Sequence, residues 1–410
     1  MPALQFKKNI LSEEIKEDTS ELPDFISLCV IKKIMFLCTN FSNMTRFIIS
    51  GGGTGGHIFP ALSIANQLKK EIPDVEILFI GANGKMEMTR VPEAGYNIVG
   101  LDVFGIRRDL SWSGIKSNLR LPFVLLKTMH KAKQIMRQFK PDVVIGVGGY
   151  ASGPALRAAQ ALNIPTVIQE QNSYPGKTNK WLSKKVAKIC VAYDGLERFF
   201  PKDKIMKTGN PVRAEIINFQ PKLEEAYSFF DLDKNKKTVL IIGGSQGART
   251  INQAVLSHIE DFKKMDVQLL WQTGELFYTL NEVQLSELKS QNIKILPFIK
   301  RMDLAYSVAD YIVSRAGALA IAELTIVGAP TILVPLPTAA EDHQTANARQ
   351  LSDAGAAVLL PDKEVKEKLY ATLANLMKDV GLSKDMAQKM KQFAQPEAIQ
   401  KIVKEILYIC

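Results

Sequence analysis

The chain has 410 residues, of which 46% are hydrophobic and 23% are charged. This composition is typical of a soluble globular protein with two or three domains, and it excludes disorder as the main state. Lys and Arg total 52 against 42 Asp and Glu, and the net charge of +10 is compatible with nucleic acid, a phosphorylated small molecule or an anionic membrane as partner. The four cysteines follow no disulfide or metal-binding pattern, which favours a reducing compartment, and no apolar run predicts a membrane-spanning helix.

The first 43 residues differ from the rest of the chain. Residues 11–24 are rich in Glu, Asp, Ser and Thr, and a short apolar patch, Cys29–Cys38, follows them. The first strand-like run begins directly after Met44. We therefore interpret residues 1–43 either as an extension that is not part of the core fold or as the result of an upstream start site.

From Met44 onward, short segments rich in Val and Ile alternate with helix-length segments such as Pro60–Glu71 and Thr250–Phe262. Most of the short segments lack polar–apolar alternation, as parallel strands buried on both faces do. The pattern predicts an α/β protein with doubly wound parallel sheets. The predicted strands are Arg46–Ser50, Val75–Gly81, Asp142–Val147, Thr166–Gln169, Thr238–Ile242, Gln268–Gln272, Ile293–Leu296, Tyr311–Ser314 and Thr331–Val334.

Two of these strands lead into similar glycine-rich loops, which begin at Gly51 and Gly243. This internal repeat predicts two Rossmann-like domains that face each other across a cleft. Glycine amides followed by a helix N-terminus favour phosphate binding, and a tight turn without a ligand is the alternative. Ser245, in the second loop, is placed to donate to a phosphate or to cap the next helix.

Two common phosphate-binding motifs do not fit these loops. A Walker loop has Lys after its last glycine, whereas His57 follows Gly56 here. A dinucleotide site has an acidic residue at the end of the second strand, whereas the second strands of the two halves end at Gly81 and Gln272. An NAD-dependent oxidoreductase is therefore disfavoured. Asp231 and Asp233 have the spacing of a metal-binding Asp pair, but they lie in a segment rich in lysines. We therefore interpret them as solvated surface residues and predict no metal site.

Three polar positions are candidates for chemistry. His57 lies in the first turn of a helix beside the glycine loop and is placed to act as a general base or to bond the local backbone. Glu323 is the lone carboxylate of an almost apolar helix, where it either accepts bonds from ribose hydroxyls or lies on a solvated face. Asp342–Gln344 follows a strand and suits a sugar or a plain loop.

The segment 104–127 combines basic and apolar side chains with a single acid, Asp109. This composition suits an anionic lipid interface, and an ordinary surface helix with one packed face is the alternative. The candidate membrane patch consists of Arg107, Arg108, Trp112, Lys116, Arg120 and Phe123.

In their order along the chain, these motifs resemble those of the MurG family of glycosyltransferases. That family adds N-acetylglucosamine to the undecaprenyl-linked muramyl-peptide precursor of peptidoglycan. The resemblance extends from about Met44 to the C-terminus. It rests on the segments Gly52–His57, Gly148–Pro154, Glu170–Asn172, Gly209–Arg213, Gly243–Arg249, Ser314–Ala318 and Asp342–Gln344, together with Glu323.

The resemblance implies a GT-B fold with an acceptor- and membrane-facing domain over 44–213 and a UDP-GlcNAc-binding domain over 214–395. A C-terminal helix within 396–410 is expected to pack back on the first domain. The implied reaction is an inverting, metal-independent transfer of GlcNAc from UDP-GlcNAc to the 4-hydroxyl of MurNAc in lipid I, without a cofactor. The implied location is the cytoplasmic face of the bacterial plasma membrane. The expected partners are UDP-GlcNAc, lipid I, an anionic membrane surface and other cell-wall synthesis and division proteins, and no nucleic acid is expected.

The resemblance also assigns residues by matched position, with His57 as the candidate base. Two positions depart from the family pattern, because Gln169 replaces a usual His and Ala320 replaces a common hydroxyl residue. Gly52, Gly53 and Tyr150 would face the acceptor pyrophosphate. The implied UDP-GlcNAc contacts are Thr54, Gly55, Gly56, Asn172, Arg213, Ser245, Ile299, Ala318, Leu319, Glu323 and Gln344.

Other functions remain open on the residues alone. Another GT-B enzyme, such as a glycolipid glycosyltransferase or a UDP-GlcNAc 2-epimerase, would use similar loops. A non-enzymatic nucleotide- or nucleic-acid-binding protein is a further alternative. The spread of the positive charge, with no basic–aromatic recognition module, disfavours nucleic acid.

Overall fold

The computed structural model describes residues 45–103, 112–244 and 247–410, without the side chains of residues 112–123, 125 and 340. The predicted extension over residues 1–43 lies outside the described residues. Two parallel sheets, each covered by helices on both faces, form two Rossmann-like domains, which confirms the predicted fold class.

The first domain is built on a seven-stranded sheet with the order β3-β2-β1-β4-β5-β6-β7. In β1, Phe47 pairs with Ile77 on one side and with Val143 on the other. The strands are β1 Arg46–Gly51, β2 Glu76–Ala82, β3 Asn97–Leu101, β4 Val143–Gly148, β5 Thr166–Glu170, β6 Lys188–Val191 and β7 Ile205–Lys207. The helices are α1 Gly55–Glu71, α2 Glu87–Glu93, α3 Trp112–Phe139, α4 Ser152–Ala161 and α5 Lys177–Leu182.

The second domain is built on a six-stranded sheet with the order β10-β9-β8-β11-β12-β13. Its strands are β8 Lys237–Ile242, β9 Val267–Gln272, β10 Ile293–Leu296, β11 Tyr311–Arg315, β12 Thr331–Val334 and β13 Val358–Leu359. Its helices are α6 Ala214–Ile217, α7 Leu223–Phe230, α8 Arg249–Ser257, α9 Ile259–Lys264, α10 Glu275–Leu280, α11 Glu282–Leu288, α12 Met302–Val308, α13 Ala318–Val327, α14 His343–Ser352, α15 Val365–Lys378 and α16 Val380–Gln392.

The last helix, α17 Ala398–Ile409, packs on the first domain although it ends the chain. Its apolar face contributes Ile399, Ile402, Val403 and Ile406 to the same buried cluster as Phe47 of β1. The spacing of these four residues is that of one face of a helix. The chain therefore crosses between the domains twice, once after β7 and once after α16.

All nine predicted strands are present, with ends that differ by at most one residue. The prediction missed β3, β6, β7 and β13, which have two to five residues, and three of these are edge strands. The helix predicted over Thr250–Phe262 is divided at His258, whose backbone is not helical. The predicted start at Pro60 was wrong, because α1 begins at Gly55 and accommodates Pro60 in its second turn.

The packing of α17 gives a first prediction. Ile402 is fully buried, so Ile402→Ala should lower the free energy of unfolding of the first domain by about 2–4 kcal/mol through the cavity it leaves. The measurement is urea unfolding followed by circular dichroism. The exposed neighbour Lys401 provides the control, and Lys401→Ala should change stability by less than about 0.5 kcal/mol. Equal effects of the two substitutions would mean that α17 does not form part of the core.

Candidate active site

The carboxyl ends of the two sheets face each other, and a buried asparagine joins them. Asn347 of α14 accepts bonds from the Ser173 amide at 3.0 Å and from the Ser173 hydroxyl at 2.9 Å, and it donates to Asn172 Oδ1 at 3.2 Å. Residues 172 and 173 follow β5 of the first domain, whereas α14 follows β12 of the second. Asn347 is fully buried, so the contact forms the floor of the cleft.

A second contact joins the crossover segment to the second domain, as an ion pair between two predicted donor-site residues. Arg213 Nε lies 2.6 Å from Glu323 Oε1, and the Tyr306 hydroxyl donates to Glu323 Oε2 at 3.0 Å. Glu323 and Tyr306 are both buried, and burial raises the pKa of each. Each carboxylate oxygen of Glu323 thus has one protein donor, and a ribose hydroxyl would use the remaining lone pairs.

The loop before α14 reaches the first domain with a strained backbone. Glu341 and Asp342 both have positive φ, at 56° and 52°, which costs roughly 1–2 kcal/mol for each side-chain-bearing residue. Glu341 Oε1 lies 3.3 Å from Lys177 Nζ of α5. Asp342 accepts from the Thr345 hydroxyl at 2.6 Å. Strain of this kind is often retained where a loop serves a site.

The first glycine loop holds His57 in one tautomer. His57 Nδ1 lies 3.1 Å from the carbonyl oxygen of Gly52, and since a carbonyl only accepts, Nδ1 carries the proton. The other ring nitrogen, Nε2, is then the proton acceptor. Burial, the largest effect, and the nearby His343 lower the pKa of His57 below 6.5, against the raising effects of the Gly52 bond and Glu87. The ring is therefore neutral at pH 7.

The glycine loop is not free to bind an anion at every amide. The Gly53 amide donates to the carboxylate of Glu87 at 2.8 Å, so this amide already has a hydrogen-bond partner within the protein. Thr54 is the N-cap of α1 without a side-chain capping bond, and the first turn contains no acid. The amides of the following first turn, at Gly55 and Gly56, suit an anion better.

The second glycine loop closes tightly on β9. A Cβ at Gly247 would lie 2.0 Å from the carbonyl oxygen of Thr273, so only glycine fits there. Gln272 donates to the Gly244 carbonyl at 3.0 Å and accepts from the Ile299 amide at 2.9 Å. A uracil bound at Ile299 would either donate a hydrogen bond to the Ile299 carbonyl or displace Gln272 from the Ile299 amide. Ser245, predicted to contact the diphosphate, lies outside the described residues.

Two further helices after the second sheet's strands begin without side-chain caps. α8 follows the second glycine loop and α13 follows β11, and neither has an acidic residue in its first turn. Ala318, Leu319 and Ala320 form the start of α13 and are partly exposed. Uncapped N-termini with partial positive charge favour a diphosphate.

An amide network shapes the first-domain side of the cleft. Gln169 donates to Asn210 Oδ1 at 3.0 Å and accepts from Gln171, while Asn210 donates to the Gln171 carbonyl at 2.9 Å. Gln169, where the family usually has His, thereby fixes the crossover segment that leads to Arg213. Glu170 accepts from the Asn172 and Gly176 amides and from Asn179, and this shapes the loop after β5.

The remaining predicted residues are dispersed around the cleft. Tyr150 is exposed in the turn after β4. Gln344 accepts from the Leu336 amide at 2.9 Å, which engages one of its polar atoms. In the candidate membrane patch, Arg107 and Arg108 lie outside the described residues, and the side chains of Trp112, Lys116, Arg120 and Phe123 are not described.

Sequence reasoning missed three residues that matter here. Asn347 lies in a polar helix start, and Tyr306 lies in a short helix without a motif. In the sequence, Glu87 resembles an ordinary charged residue on a solvated helix face, although its side chain is fully buried. The one signal was the glycine at position 81, because a Cβ there would lie 2.6 Å from Glu87 Cγ.

Family comparisons agree with this arrangement. Residues 47–191 match the glycosyltransferase family 28 N-terminal domain, and residues 238–403 match the glycosyltransferase family 28 C-terminal domain. A protein of Flavobacterium psychrophilum is 49% identical over 362 residues, which cover 88% of this chain and 97% of that protein. Its name is UDP-N-acetylglucosamine--N-acetylmuramyl-(pentapeptide) pyrophosphoryl-undecaprenol N-acetylglucosamine transferase.

Solved structures lead to the same family. The crystal structure of Acinetobacter baumannii MurG is 33% identical, covers 89% of this chain and 99% of its own, and superposes with a TM-score of 0.68. UDP-GlcNAc 2-epimerase from Neisseria meningitidis shares the fold alone, with 17% identity, a TM-score of 0.62 and coverage of 89% and 100%. The chain therefore belongs to glycosyltransferase family 28 and, within it, to the MurG family of N-acetylglucosaminyltransferases.

Proposed function

We propose that the chain transfers GlcNAc from UDP-GlcNAc to the 4-hydroxyl of MurNAc in undecaprenyl-pyrophosphoryl-MurNAc-pentapeptide, which converts lipid I to lipid II in peptidoglycan synthesis. The observation that carries the proposal is the 49% identity to a transferase of that name over nearly its whole length. The cleft geometry supports it, because His57 of the first domain lies close enough to His343 of the second domain for the latter to lower its pKa.

His57 is the proposed general base. Its Nε2 accepts the proton of the acceptor 4-hydroxyl while that oxygen forms a bond to the anomeric carbon of GlcNAc. The bond from the anomeric carbon to the UDP oxygen breaks, and UDP leaves with the electron pair. A single displacement inverts the anomeric centre to a β-linkage. The proton on Nδ1 remains there and stays hydrogen-bonded to the Gly52 carbonyl oxygen, which keeps the ring oriented throughout.

The second domain is the proposed donor site. The departing UDP develops negative charge, which the N-termini of α8 and α13 and the guanidinium of Arg213 would stabilise. Glu323, held between Arg213 and Tyr306, would accept bonds from the ribose hydroxyls. The proposed role of Arg213 requires its side chain to serve both Glu323 and the diphosphate, and its side chain is 43% exposed.

We also propose that the first domain docks on an anionic membrane at its cytoplasmic face. A groove of about 620 Å³ between α4 and α5 is lined by Trp181 and Leu182 and by a set of cations. Trp181 is 62% exposed and lies under the Arg157 guanidinium. An exposed Trp within a basic surface suits the headgroup region. The groove cations are Arg157, Lys177, Lys180, Lys184 and Lys185. Within the described ranges, no helix has the length and hydropathy to cross a bilayer.

The transferase proposal predicts the behaviour of a His57 variant. With labelled UDP-GlcNAc and a short-chain lipid I analogue, the wild type should form labelled β-linked product, and His57→Ala should lower kcat by about 10²–10⁴. Because His57 does not hold the donor, the Kd for UDP-GlcNAc should change less than about threefold. His130, exposed on α3, provides the control, and His130→Ala should retain wild-type turnover.

The pH dependence follows from the same geometry. Since the pKa of His57 is lowered below 6.5, its neutral form persists to below that pH, and kcat/KM should fall only as the pH drops through the lowered pKa. A folded wild type that transfers no label, or that forms UDP-ManNAc without acceptor, would contradict the transferase proposal. Wild-type turnover in His57→Ala would exclude His57 as the base.

The membrane proposal predicts a charge effect on vesicle binding. Lys184→Glu with Lys185→Glu should weaken cosedimentation with vesicles containing anionic lipid by more than about tenfold, because each basic residue contributes about 1 kcal/mol at such a surface. The matched control is Lys263→Glu with Lys264→Glu, two exposed residues at the end of α9 in the second domain. Equal loss in both pairs, or tight binding of the wild type to neutral vesicles, would contradict this docking surface.

A further inference from the structure

We propose that Glu87 is a positioning residue for His57 and acts on it through a single peptide group, between Gly52 and Gly53. The inference rests on the proposed role of His57 as the base. It adds a buried carboxylate to the reaction that none of the sequence motifs contains.

The connection consists of consecutive hydrogen bonds. Glu87 Oε2 accepts from the Gly53 amide at 2.8 Å, and Oε1 accepts from the Ala82 amide at 2.9 Å. The Gly53 N–H and the Gly52 C=O belong to the same peptide group. That carbonyl accepts from His57 Nδ1 at 3.1 Å. Carboxylate, peptide and imidazole therefore form one chain, with Nε2 at its open end.

The charge of Glu87 reaches His57 through this peptide. A carboxylate bonded to the N–H of an amide polarises it and increases the negative charge on its oxygen, which strengthens the bond that the oxygen accepts. When Nε2 takes the acceptor proton, His57 becomes an imidazolium, and the nearby negative charge stabilises it. A carboxylate that orients a histidine directly has the same effect on the ring.

The surrounding sequence makes room for this arrangement. A Cβ at Gly52 would lie 2.2 Å from Glu87 Oε1, and a Cβ at Gly148 would lie 2.8 Å from His57 Nε2. A Cβ at Gly149 would lie 2.3 Å from the Gly52 carbonyl oxygen. These glycines allow the carboxylate, the peptide and the ring to pack in contact. Burying a carboxylate is costly unless it is hydrogen-bonded, and the fully buried Glu87 accepts from two backbone amides.

The charged and titratable groups that act on His57 come from two elements. Glu87 of α2 raises the pKa of His57, and His343 of α14 lowers it, while burial has the largest effect and also lowers it. Removing the charge of Glu87 removes a raising influence. The pKa of His57 should therefore fall further in Glu87→Gln.

The experiment combines NMR titration of the His57 ring with the pH profile of transfer. In Glu87→Gln, the ring titration and the acid limb of kcat/KM should both move to lower pH by about 0.5 unit or more. The kcat value at pH 7.5 should fall roughly ten- to hundredfold, with the KM for UDP-GlcNAc within about twofold of wild type. The matched control is Glu93→Gln on the exposed side of α2, which should match wild type in each readout.

A double variant of Glu87 and His57 distinguishes a positioning role of Glu87 from a merely structural one. In a His57→Ala background, Glu87→Gln should lower kcat by less than about twofold, because the group on which it acts is gone. A full additional loss, or an unshifted ring titration, would overturn the proposal. If His57→Ala itself has wild-type turnover, the base assignment fails instead, and the two failures are thereby distinguished.

A second variant covers the case in which Glu87→Gln does not fold. Glu87→Asp keeps the charge but is too short to reach both amides in the same place. The ring titration of His57 should then stay within about 0.3 unit of wild type while kcat falls. A titration that moves to lower pH by more than this, despite the retained charge, would contradict an electrostatic connection to His57.

Discussion

The facing arrangement of the two sheets depends on the buried amide of Asn347. It satisfies the Ser173 amide and hydroxyl and binds Asn172, so the loops after β5 and β12 meet at one point. A buried backbone N–H without a partner costs about 1–3 kcal/mol, so sliding one domain over the other is unfavourable unless water replaces the contact. The contact uses neutral groups, which pay less for burial than charges do.

Backbone groups form much of the proposed chemical apparatus. The orientation of His57 comes from a carbonyl, the proposed stabilisation of the leaving group comes from helix N-termini, and Glu87 acts through amides. This explains why glycine is frequent at the strand ends, where loops of the same sheet approach within contact distance. It also places rigid elements behind each group, because α1, α8 and α13 each follow a buried strand after a short loop.

Hydrophobic runs and glycine loops were sufficient to predict the long central strands and the two-domain architecture. β1 and β8 contain apolar runs, at residues 47–49 and 239–242, that lead into glycine-rich loops, and this combination has few other structural solutions. The edge strands β3, β7 and β13 escaped prediction because they have only two to five residues, too few to form a recognisable apolar run. The break at His258 was likewise invisible, since helical periodicity continues across it.

The site was only partly accessible to sequence reasoning. His57, Arg213 and Glu323 carry recognisable chemistry, and the fold brings Arg213 and Glu323 into contact across 110 residues of chain. Glu87, Tyr306 and Asn347 carry no such signal, because their importance comes from burial and from partners that are distant in sequence. Gly53 shows the opposite case. The glycine-rich loop suggests that its amide is available to a ligand, whereas this amide donates a hydrogen bond to the carboxylate of Glu87, which is distant in sequence.

Carbodiimide cross-linking with mass spectrometry tests the facing arrangement most directly, because it joins a lysine and a carboxylate without a spacer. Lys177 Nζ and Glu341 Oε1 lie 3.3 Å apart on opposite domains, so a cross-link between them is expected. Lys368 and Glu364, 2.9 Å apart within the second domain, provide the internal standard. A map that contains the Lys368–Glu364 link and lacks the Lys177–Glu341 link would contradict the facing arrangement of the two domains on which the proposed transfer depends.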